Sequence, residues 1–591
     1  MLAISADKQF VGFDGVIHNN EVLNHIGTRD CYLFREEIFS RNSSLSQPLR
    51  AEYLRMSKLS HISANSRLRE LDDYLNPLKL NLLNENDSYL NDAAYSISLI
   101  CTEIRQSYAD DVDCYNAICK LAAAYAIAPP ALLPDHSNVV SCLNRLCCQK
   151  FWRKKLRKLR GDRAEFVARE LREVNAKKSL YCSDISLNYR RCQKANSRQF
   201  LESRTAINEL NQEFTLAQLA ELSPSNPLIR RIELINRLKG FELLSKSFDH
   251  DAVFITLTCP SRFHRMSKIV VNGRVVKCVP NKNYDGSDPK DAQKYLLKVW
   301  AKIMAKFGRI GVRPYGFRIA EPHHDGTPHH HFLLFASSQN IKIINDIFTA
   351  YALSDSPDEK GANEHRVKFE LIKKGINPST GREYSAVGYL IKYISKNVDG
   401  FRVDNSNADK NLDWADKSSS SIAERIEAWA RTHRIRQFQQ IGGGSVTVWR
   451  EVRRLSEQKG LLEEIRQAAQ ANDWSAFVQL MGGPMCKREQ QRVRPLYANS
   501  EKLDRVTGEI IPHLYTEYGD LASERILGVI SAGLTVLSRV HFWEIRESET
   551  VLKAQQKIMI GISELLDAAY EQKYSHLYAS SSDLDQQPEA A

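Results

Sequence analysis

The sequence predicts an α+β protein: a central domain with an antiparallel sheet and flanking helices, set between mainly α-helical N- and C-terminal regions. Three observations predict it. Much of the chain up to about residue 248 repeats apolar residues at three- and four-residue spacing, the period of a helix. From 252 to about 400, short β-branched runs alternate with helical ones, and tight-turn residues join neighbouring runs. Beyond 403 the helical texture returns. The segments are 1–248, with a basic stretch at 150–160; 249–402, the α+β domain; 403–575, mainly helical; and 576–591, a polar tail whose composition predicts disorder.

Residues 1–75 show short mixed apolar stretches without a clear period, and no role is assigned to them. DAAYSISLICTEIRQSY (92–108) and CYNAICKLAAAYAIA (114–128) read as helices, stopped by Pro129, Pro130 and Pro134. A second helical block, 141–174, contains KFWRKKLRKLR (150–160), with seven basic side chains and no acid. Such a run is either a solvated helix face or a phosphate contact, because cations that neutralise phosphates release counterions. Trp152 inside it either packs in a core or stacks on a base. Cys142, Cys147, Cys148, Cys182 and Cys192 are close enough in sequence for a zinc site, but only Cys142 and Cys147 approach a ligand-pair spacing. Buried free thiols are the expectation. Residues 205–247 again read as helical, in INELNQEFTLAQLAEL and PLIRRIELINRLKGFELLSK.

AVFITLTCP (252–260) is β-branched, apolar and bounded by Pro260, which predicts a strand. KIVVNGRVVKCV (268–279) is two strands around Asn272-Gly273, a preferred hairpin pair. A helix over 288–308 has Pro289 in its first turn and Gly308 at its end. Two strands then flank PHHDGTP, followed by a helix over 339–353, a strand over 366–372 and a helix carrying two tyrosines. After a polar loop, 421–438 reads as a helix that is basic at its end, and IGGGSVTVWREVRRL (441–455) opens with glycines that could let backbone amides approach a phosphate. No G-x₄-G-K-[ST] nucleotide loop occurs.

The net charge of +11 suggests a polyanionic partner. Twelve cysteines in 591 residues do not form a disulfide framework, no apolar run is long enough to span a membrane, and the N-terminus lacks the pattern of a signal peptide. A reducing cytoplasm is the expectation.

The central domain carries two candidate half-sites. In the strand PHHHFLLF, alternation places His329 and His331 on one face and His330 on the other. If 322–328 forms the turn, Glu321 lies directly across from His329. Asp325-Gly326 between two prolines supports that turn. Two imidazoles and a carboxylate leave coordination positions open, and ligand softness alone allows zinc, iron or manganese.

The second half is YLIKYISKN (389–397). Ser385 is placed to cap its helix. On a helical wheel Val387, Leu390, Ile391 and Ile394 form an apolar stripe, whereas Tyr389, Tyr393 and Lys396 fall roughly opposite, with Lys392 beside them. The tyrosine hydroxyls are therefore expected to face something polar. A phenol is a weak nucleophile at neutral pH, but it becomes competent where a metal polarises a phosphate and lysines stabilise the developing charge.

FITLT (254–258), PHHH (328–331) and YLIKYISK (389–396) resemble the three signatures of the HUH rolling-circle endonucleases, and Y-x-x-K-Y-x-x-K is like the two-tyrosine branch. The strings EPHHDGTPHHH, YISKNVDG and QQIGGGSVTVWRE look specifically like bacteriophage replication gene A proteins, over about 250–455. A histidine at the middle position, His330, departs from the hydrophobic residue usual there. The resemblance implies metal ligation by His329 and His331 with Glu321 as the third ligand, Mg²⁺ or Mn²⁺ as the cofactor, and Tyr389 and Tyr393 as alternating nucleophiles aided by Lys392 and Lys396. It implies a phage replication initiator that nicks single-stranded DNA at a replication origin through a 5′-phosphotyrosine, frees a 3′-hydroxyl for rolling-circle replication and rejoins strands. Its partners would be a host helicase and host replication proteins in the cytoplasm of a bacterial host, with no membrane. A two-tyrosine transposase and a non-catalytic origin-binding protein are the rival readings. A mononuclear iron oxygenase would leave the tyrosine pair without a job.

Overall fold

The computed structural model describes residues 27–548, apart from 81, 84–86, 272–273, 377, 379–380, 382, 399–418 and 505–506, together with three two-residue strands before residue 19. They belong to two units. One comprises residues 1–191 and 231–539; the other comprises 192–230 and 540–591.

The first unit contains the elements that build the site. In chain order they are α1 (Gln149–Glu170), α2 (Pro227–Ser247), β1 (Asp251–Leu257), α3 (Pro289–Ile310), β2 (Tyr315–Pro322), β3 (Pro328–Ala336), α4 (Ser338–Leu353), β4 (Val367–Leu371), α5 (Ala386–Val398), α6 (Ser419–Thr432) and β5 (Phe438–Ile441). The five strands form one sheet in the order β4-β1-β3-β2-β5, antiparallel throughout, as expected. Alternation along the strands makes both faces apolar. On one face Phe254, Phe317, Leu333 and Phe335 pack with Leu238, Phe241 and Leu244 of α2 and with Val387, Leu390 and Ile394 of α5. On the other face Val253, Ile255, Phe332 and Leu334 pack with Leu296, Trp300 and Ile303 of α3 and with Ile344 and Phe348 of α4. A sheet covered on both faces explains why β2 and β3 read as nearly continuous apolar runs.

Several local expectations are corrected. Helix α3 starts as predicted, with Asp288 and Asp291 forming a capping box, but it passes Gly308 and ends at Gly311, whose φ of 76° supplies the left-handed cap. Residues 29–75 hold three helices. The stripe Ala64, Leu68, Leu71 and Leu75 has helical spacing, diluted by charged residues of which Arg69, Glu70 and Asp73 face outward and Asp72 is buried. In the second unit, Arg204–Ile207 and Glu213–Thr215 pair as strands where a helix was expected. There the Asn208 side chain accepts from the Leu210 and Gln212 amides, closing a turn that competes with helix. The helix expected over 421–438 stops at Thr432, because Phe438–Ile441 is taken up as the sheet edge β5.

The C-terminal region 403–575, expected to be mainly helical, holds α-helices only to Leu480 among its described residues. Between 493 and 547 its regular structure is short strands joined by loops. Val493–Ala498 pairs with Arg525–Ser531, which pairs with Leu534–Leu537, and Glu501–Leu503 pairs with Ile510–Pro512. The β-branched content of RILGVIS and LTVL and a left-handed Gly533 between them favour a hairpin over a helix. The turn pair Asn272-Gly273, the segment after Val398 and the tail 576–591 lie outside the described residues.

Candidate metal centre and tyrosine pair

The β2–β3 hairpin forms in the predicted register, with His329 opposite Glu321. The three side chains converge from one face. His329 Nε2 and His331 Nε2 are 2.9 Å apart, and His331 Nε2 is 3.9 Å from a Glu321 carboxylate oxygen. Among the described residues this is the one group of three or more His, Cys, Asp or Glu side chains whose ligand atoms lie within 4.8 Å of one another. Two ring nitrogens turned toward one another beside a buried carboxylate are a donor set that suits a divalent cation. Thr256 on β1 fixes one of them: its hydroxyl is 3.0 Å from His331 Nδ1, which leaves Nε2 directed at the cluster.

The turn behind the ligands is packed and charged. Burial alone would raise the Asp325 carboxyl, but the adjacent His264 imidazole, 2.9 Å away, and the Arg169 guanidinium hold it well below the usual carboxylate range. Asp325 also accepts the Thr327 amide at 3.0 Å. Gly326, with φ of 82°, has its carbonyl bonded by Trp429 of α6, and a Cβ there would meet the Tyr181 carbonyl oxygen at 2.7 Å. His323 lies over His329 with ring centroids 4.2 Å apart, and burial pushes its imidazole down to about 3. On the reverse face His330 is fully buried and 3.0 Å from the Gln293 side chain of α3. That bond gives a partner to one polar atom of a fully buried imidazole.

Helix α5 lies across the ligand face of the sheet. Its first turn is capped from another helix: Glu242 of α2 accepts the Val387 amide at 3.3 Å and the Ser385 hydroxyl at 2.9 Å. Ser385, the expected cap residue, donates its hydroxyl to the same Glu242 carboxylate. Of the expected apolar stripe, Val387, Leu390 and Ile394 are buried and Ile391 is half-buried. The tyrosines are less separated from the core than the wheel implied. Both are half-buried, and the Phe254 ring lies 5.9 Å from Tyr389 and stacks on Tyr393 at 5.8 Å. Tyr393 also covers His331, with centroids 4.5 Å apart. The two half-sites therefore meet.

Two further groups bind the helix to the sheet. Asn397, one turn after Tyr393, donates from Nδ2 to Glu321 Oε1 and to the Tyr393 carbonyl, the latter at 2.6 Å. The Tyr389 hydroxyl donates to Glu370 of β4 at 3.0 Å. Burial first, and then Glu370, raises the Tyr389 phenol above its ordinary value. Lys392 and Lys396 are helical, but their side chains lie outside the described residues.

The other sequence candidates find structural roles. Trp152 is fully buried and donates to the Leu146 carbonyl, so it is a core residue. Much of the basic run is bonded internally: Lys150 to Glu517, Arg157 and Arg160 to Asp87, and Lys155 to the Ala128 carbonyl. Lys154 and Lys158 are exposed. Cys142 and Cys182 are buried, Cys147 and Cys148 half-buried, and Cys192 exposed, all as free thiols. The glycines at 442–444 serve packing: a Cβ would meet Tyr315 at 2.8 Å, Phe241 at 2.6 Å and Phe477 at 2.6 Å, respectively.

Thr256, Glu370 and Asn397 carried no role in the sequence reading. Asn397 had a signal, since it continues the Tyr389–Tyr393 spacing of four. Thr256 and Glu370 lie on strands whose pairing fixes their face, and that pairing is long-range.

Residues 90–401 match the sequence profile of the bacteriophage replication gene A protein (GPA) family. The chain is similar to the probable replication protein P12 of Pseudoalteromonas phage PM2, with 31% identity over 515 residues, covering 81% of this chain and 75% of that protein. It is 32% identical over 418 residues to the replication gene A protein of Escherichia phage 186, covering 69% of this chain and 56% of that protein. A probable replication endonuclease from a prophage-like region of Salmonella paratyphi A is 30% identical over 450 residues, covering 73% of this chain and 51% of that protein. The chain thus spans only about half the length of the latter two relatives. No solved structure matches.

Proposed function

The chain belongs to the bacteriophage replication gene A protein family, and from that premise we propose that it initiates phage DNA replication as a metal-dependent, site-specific single-strand endonuclease that also rejoins strands. The observation that carries this reading is the docking of α5 on the ligand cluster, with Tyr393 over His331 and Asn397 bonded to Glu321. A metal cluster alone fits many chemistries; a helix that lays Tyr393 against it and carries Tyr389 one turn away fits phosphotyrosine formation.

His329, His331 and Glu321 would hold the cation, Mg²⁺ or Mn²⁺. When bound, it supplies Lewis-acid polarisation of the scissile phosphate. The protein's own groups do the rest. Tyr389 or Tyr393 attacks the phosphorus, the Oη–P bond forms as the P–O3′ bond breaks, and the 3′ oxygen becomes the primer hydroxyl. The other tyrosine, on the same face of α5, cleaves the regenerated junction, and the freed 3′-hydroxyl attacks the first phosphotyrosine to close a circle. Lys392 and Lys396 are assigned to the charge that develops on the phosphate. Lys154 and Lys158 are the exposed part of the basic run left for backbone phosphates.

The partners on this reading are single-stranded origin DNA, a host helicase and host replication proteins, in the cytoplasm of a bacterial host. No helix among the described residues is long and apolar enough to cross a membrane. The test is incubation with a labelled single-stranded origin oligonucleotide and Mg²⁺ or Mn²⁺, followed by mapping of the covalent adduct by mass spectrometry. The adduct is expected on Tyr389 or Tyr393. Nicking that persists in the Tyr389→Phe/Tyr393→Phe double variant would remove the nucleophile assignment.

A further inference from the structure

The two tyrosines meet different surroundings. Tyr393 sits over a metal-ligand candidate, whereas the Tyr389 hydroxyl reaches away from the cluster to the sheet edge and donates to Glu370 at 3.0 Å. The register explains how Glu370 comes to be there. On β4, Glu370 pairs with Phe254 and Lys368 pairs with Thr256; Phe254 and Thr256 in turn pair with Leu333 and His331. Glu370 therefore stands on the same sheet face as the ligands, two residues along from the His331 row and two strands away. It is an exposed side chain on an edge strand, and among the described residues its hydrogen bond is the one from Tyr389.

Resting on the nucleophile reading above, we propose that Glu370 is a catalytic residue of the Tyr389 half-reaction: it accepts the phenolic proton as Tyr389 attacks the phosphodiester. The step balances without a further reagent. The Tyr389 Oη–H proton passes to Glu370 Oε1 as the Oη–P bond forms; the P–O3′ bond breaks with its electron pair on O3′, which takes a proton from water, and Glu370 returns its own proton to solvent. A carboxylate is far too weak a base to ionise a ground-state phenol, since their ordinary pKa values lie about six units apart. It becomes an adequate acceptor during attack, when bond formation to phosphorus makes the phenolic proton acidic. In the resting state the same hydrogen bond keeps Tyr389 protonated and its Oη held in one place.

The test uses the full chain and the oligonucleotide assay above, at saturating DNA with Mn²⁺. Tyr393→Phe leaves Tyr389 as the single nucleophile, and adding Glu370→Gln to it is expected to slow adduct formation at least about a hundredfold, the low side of a lost general base. The oligonucleotide's apparent Kd should stay within about twofold, because Gln keeps the side-chain size and a hydrogen-bond acceptor. An unchanged rate overturns the proposal. So does an equal loss when Glu370→Gln is added to Tyr389→Phe, which would mark a general effect on the site. If wild type forms adduct but Tyr393→Phe forms none, Tyr389 is not an independent nucleophile and the proposal falls. If wild type forms no adduct on either tyrosine, the nucleophile reading itself is lost. Melting temperatures of all variants within a few degrees of wild type separate these outcomes from misfolding.

Discussion

The ring of Tyr393 lies over the imidazole of His331, with centroids 4.5 Å and planes 31° apart. This contact joins the tyrosine helix to the ligand cluster through the ring. Tyr393→Phe retains that ring and is expected to keep the stacking while confining the DNA adduct to Tyr389. Tyr393→Ala should also lose the stacking on Phe254 and His331, and with it about 2–4 kcal/mol of stability. Thermal melts and peptide mapping of the adduct check both halves. A Phe variant as unstable as the Ala variant would assign a structural role to the hydroxyl.

Asn397 is the polar counterpart of that contact. It is buried, and its one amide nitrogen serves both Glu321 and the Tyr393 carbonyl. Asn397→Ala strips a hydrogen bond from a buried carboxylate, at a cost of about 1–3 kcal/mol. Asn397→Asp places a second carboxylate against Glu321 and is expected to cost more at neutral pH in chelator-treated protein, with the difference from Ala narrowing on addition of Mn²⁺. Denaturant titrations with and without the cation decide it. Equal effects of Ala and Asp would show that the Glu321 contact carries no electrostatic weight.

Removal of the ligands gives a separate readout of the metal. Mn²⁺ at about one hundred times its dissociation constant should stabilise the wild-type fold by about 2.7 kcal/mol, the linkage expected for one site. His329→Ala/His331→Ala should abolish that response together with nicking, and a chelator should reproduce the loss of nicking in wild type. A double variant that is still stabilised by the cation would place the metal elsewhere.

What was legible in the sequence was local. The period of two along PHHHFLLF and the Asp325-Gly326 turn suffice to set Glu321 opposite His329, since a one-residue slip would send both histidines to the other face. The wheel separated Leu390 and Ile394 from the tyrosines for the same reason. It could not show that Tyr389 and Tyr393 rest on Phe254, because that ring comes from a strand more than a hundred residues earlier. Glu242 capping α5 and Glu370 meeting Tyr389 are long-range in the same sense. The strands beyond 493 were hidden differently: their β-branched runs are short, and their partners fix them as strands rather than any period of their own.

The glycines at 442–444 give a prediction that separates packing from phosphate binding. Gly443 has φ of 73°, and a Cβ there would lie 2.6 Å from two carbons of the buried Phe241 ring. Gly443→Ala combines overpacking with left-handed strain, a loss of about 2–4 kcal/mol. Thermal melting of the variant without DNA measures it. If instead stability is kept and only affinity for DNA falls, the loop contacts phosphate after all.

Acid sensitivity should trace in part to His433, at the junction of α1, α3 and α6. Burial holds this imidazole well below its ordinary range, and the charges of Arg169, Lys290 and Arg434 add to the effect. The nearby acids are already engaged: Glu165 accepts from Ser183 and Ser186, and Asp162 pairs with Lys290 and Arg434. With the folded value depressed, the unfolded chain binds the extra proton, so stability rises with pH across the interval between the two values. The contribution is complete above the unfolded pKa of about 6.5 and is lost as pH falls from there toward the folded value. Between pH 6.5 and 5.5 one such group removes about 1 kcal/mol. His433→Gln cannot titrate, and its unfolding free energy should fall by about that much less than wild type over the same interval, whatever its stability at pH 7.5. Chemical denaturation at the two pH values gives both slopes. Parallel losses in variant and wild type would mean that His433 takes up its proton in the folded state, and that the cations around it are screened by groups the packing does not place there.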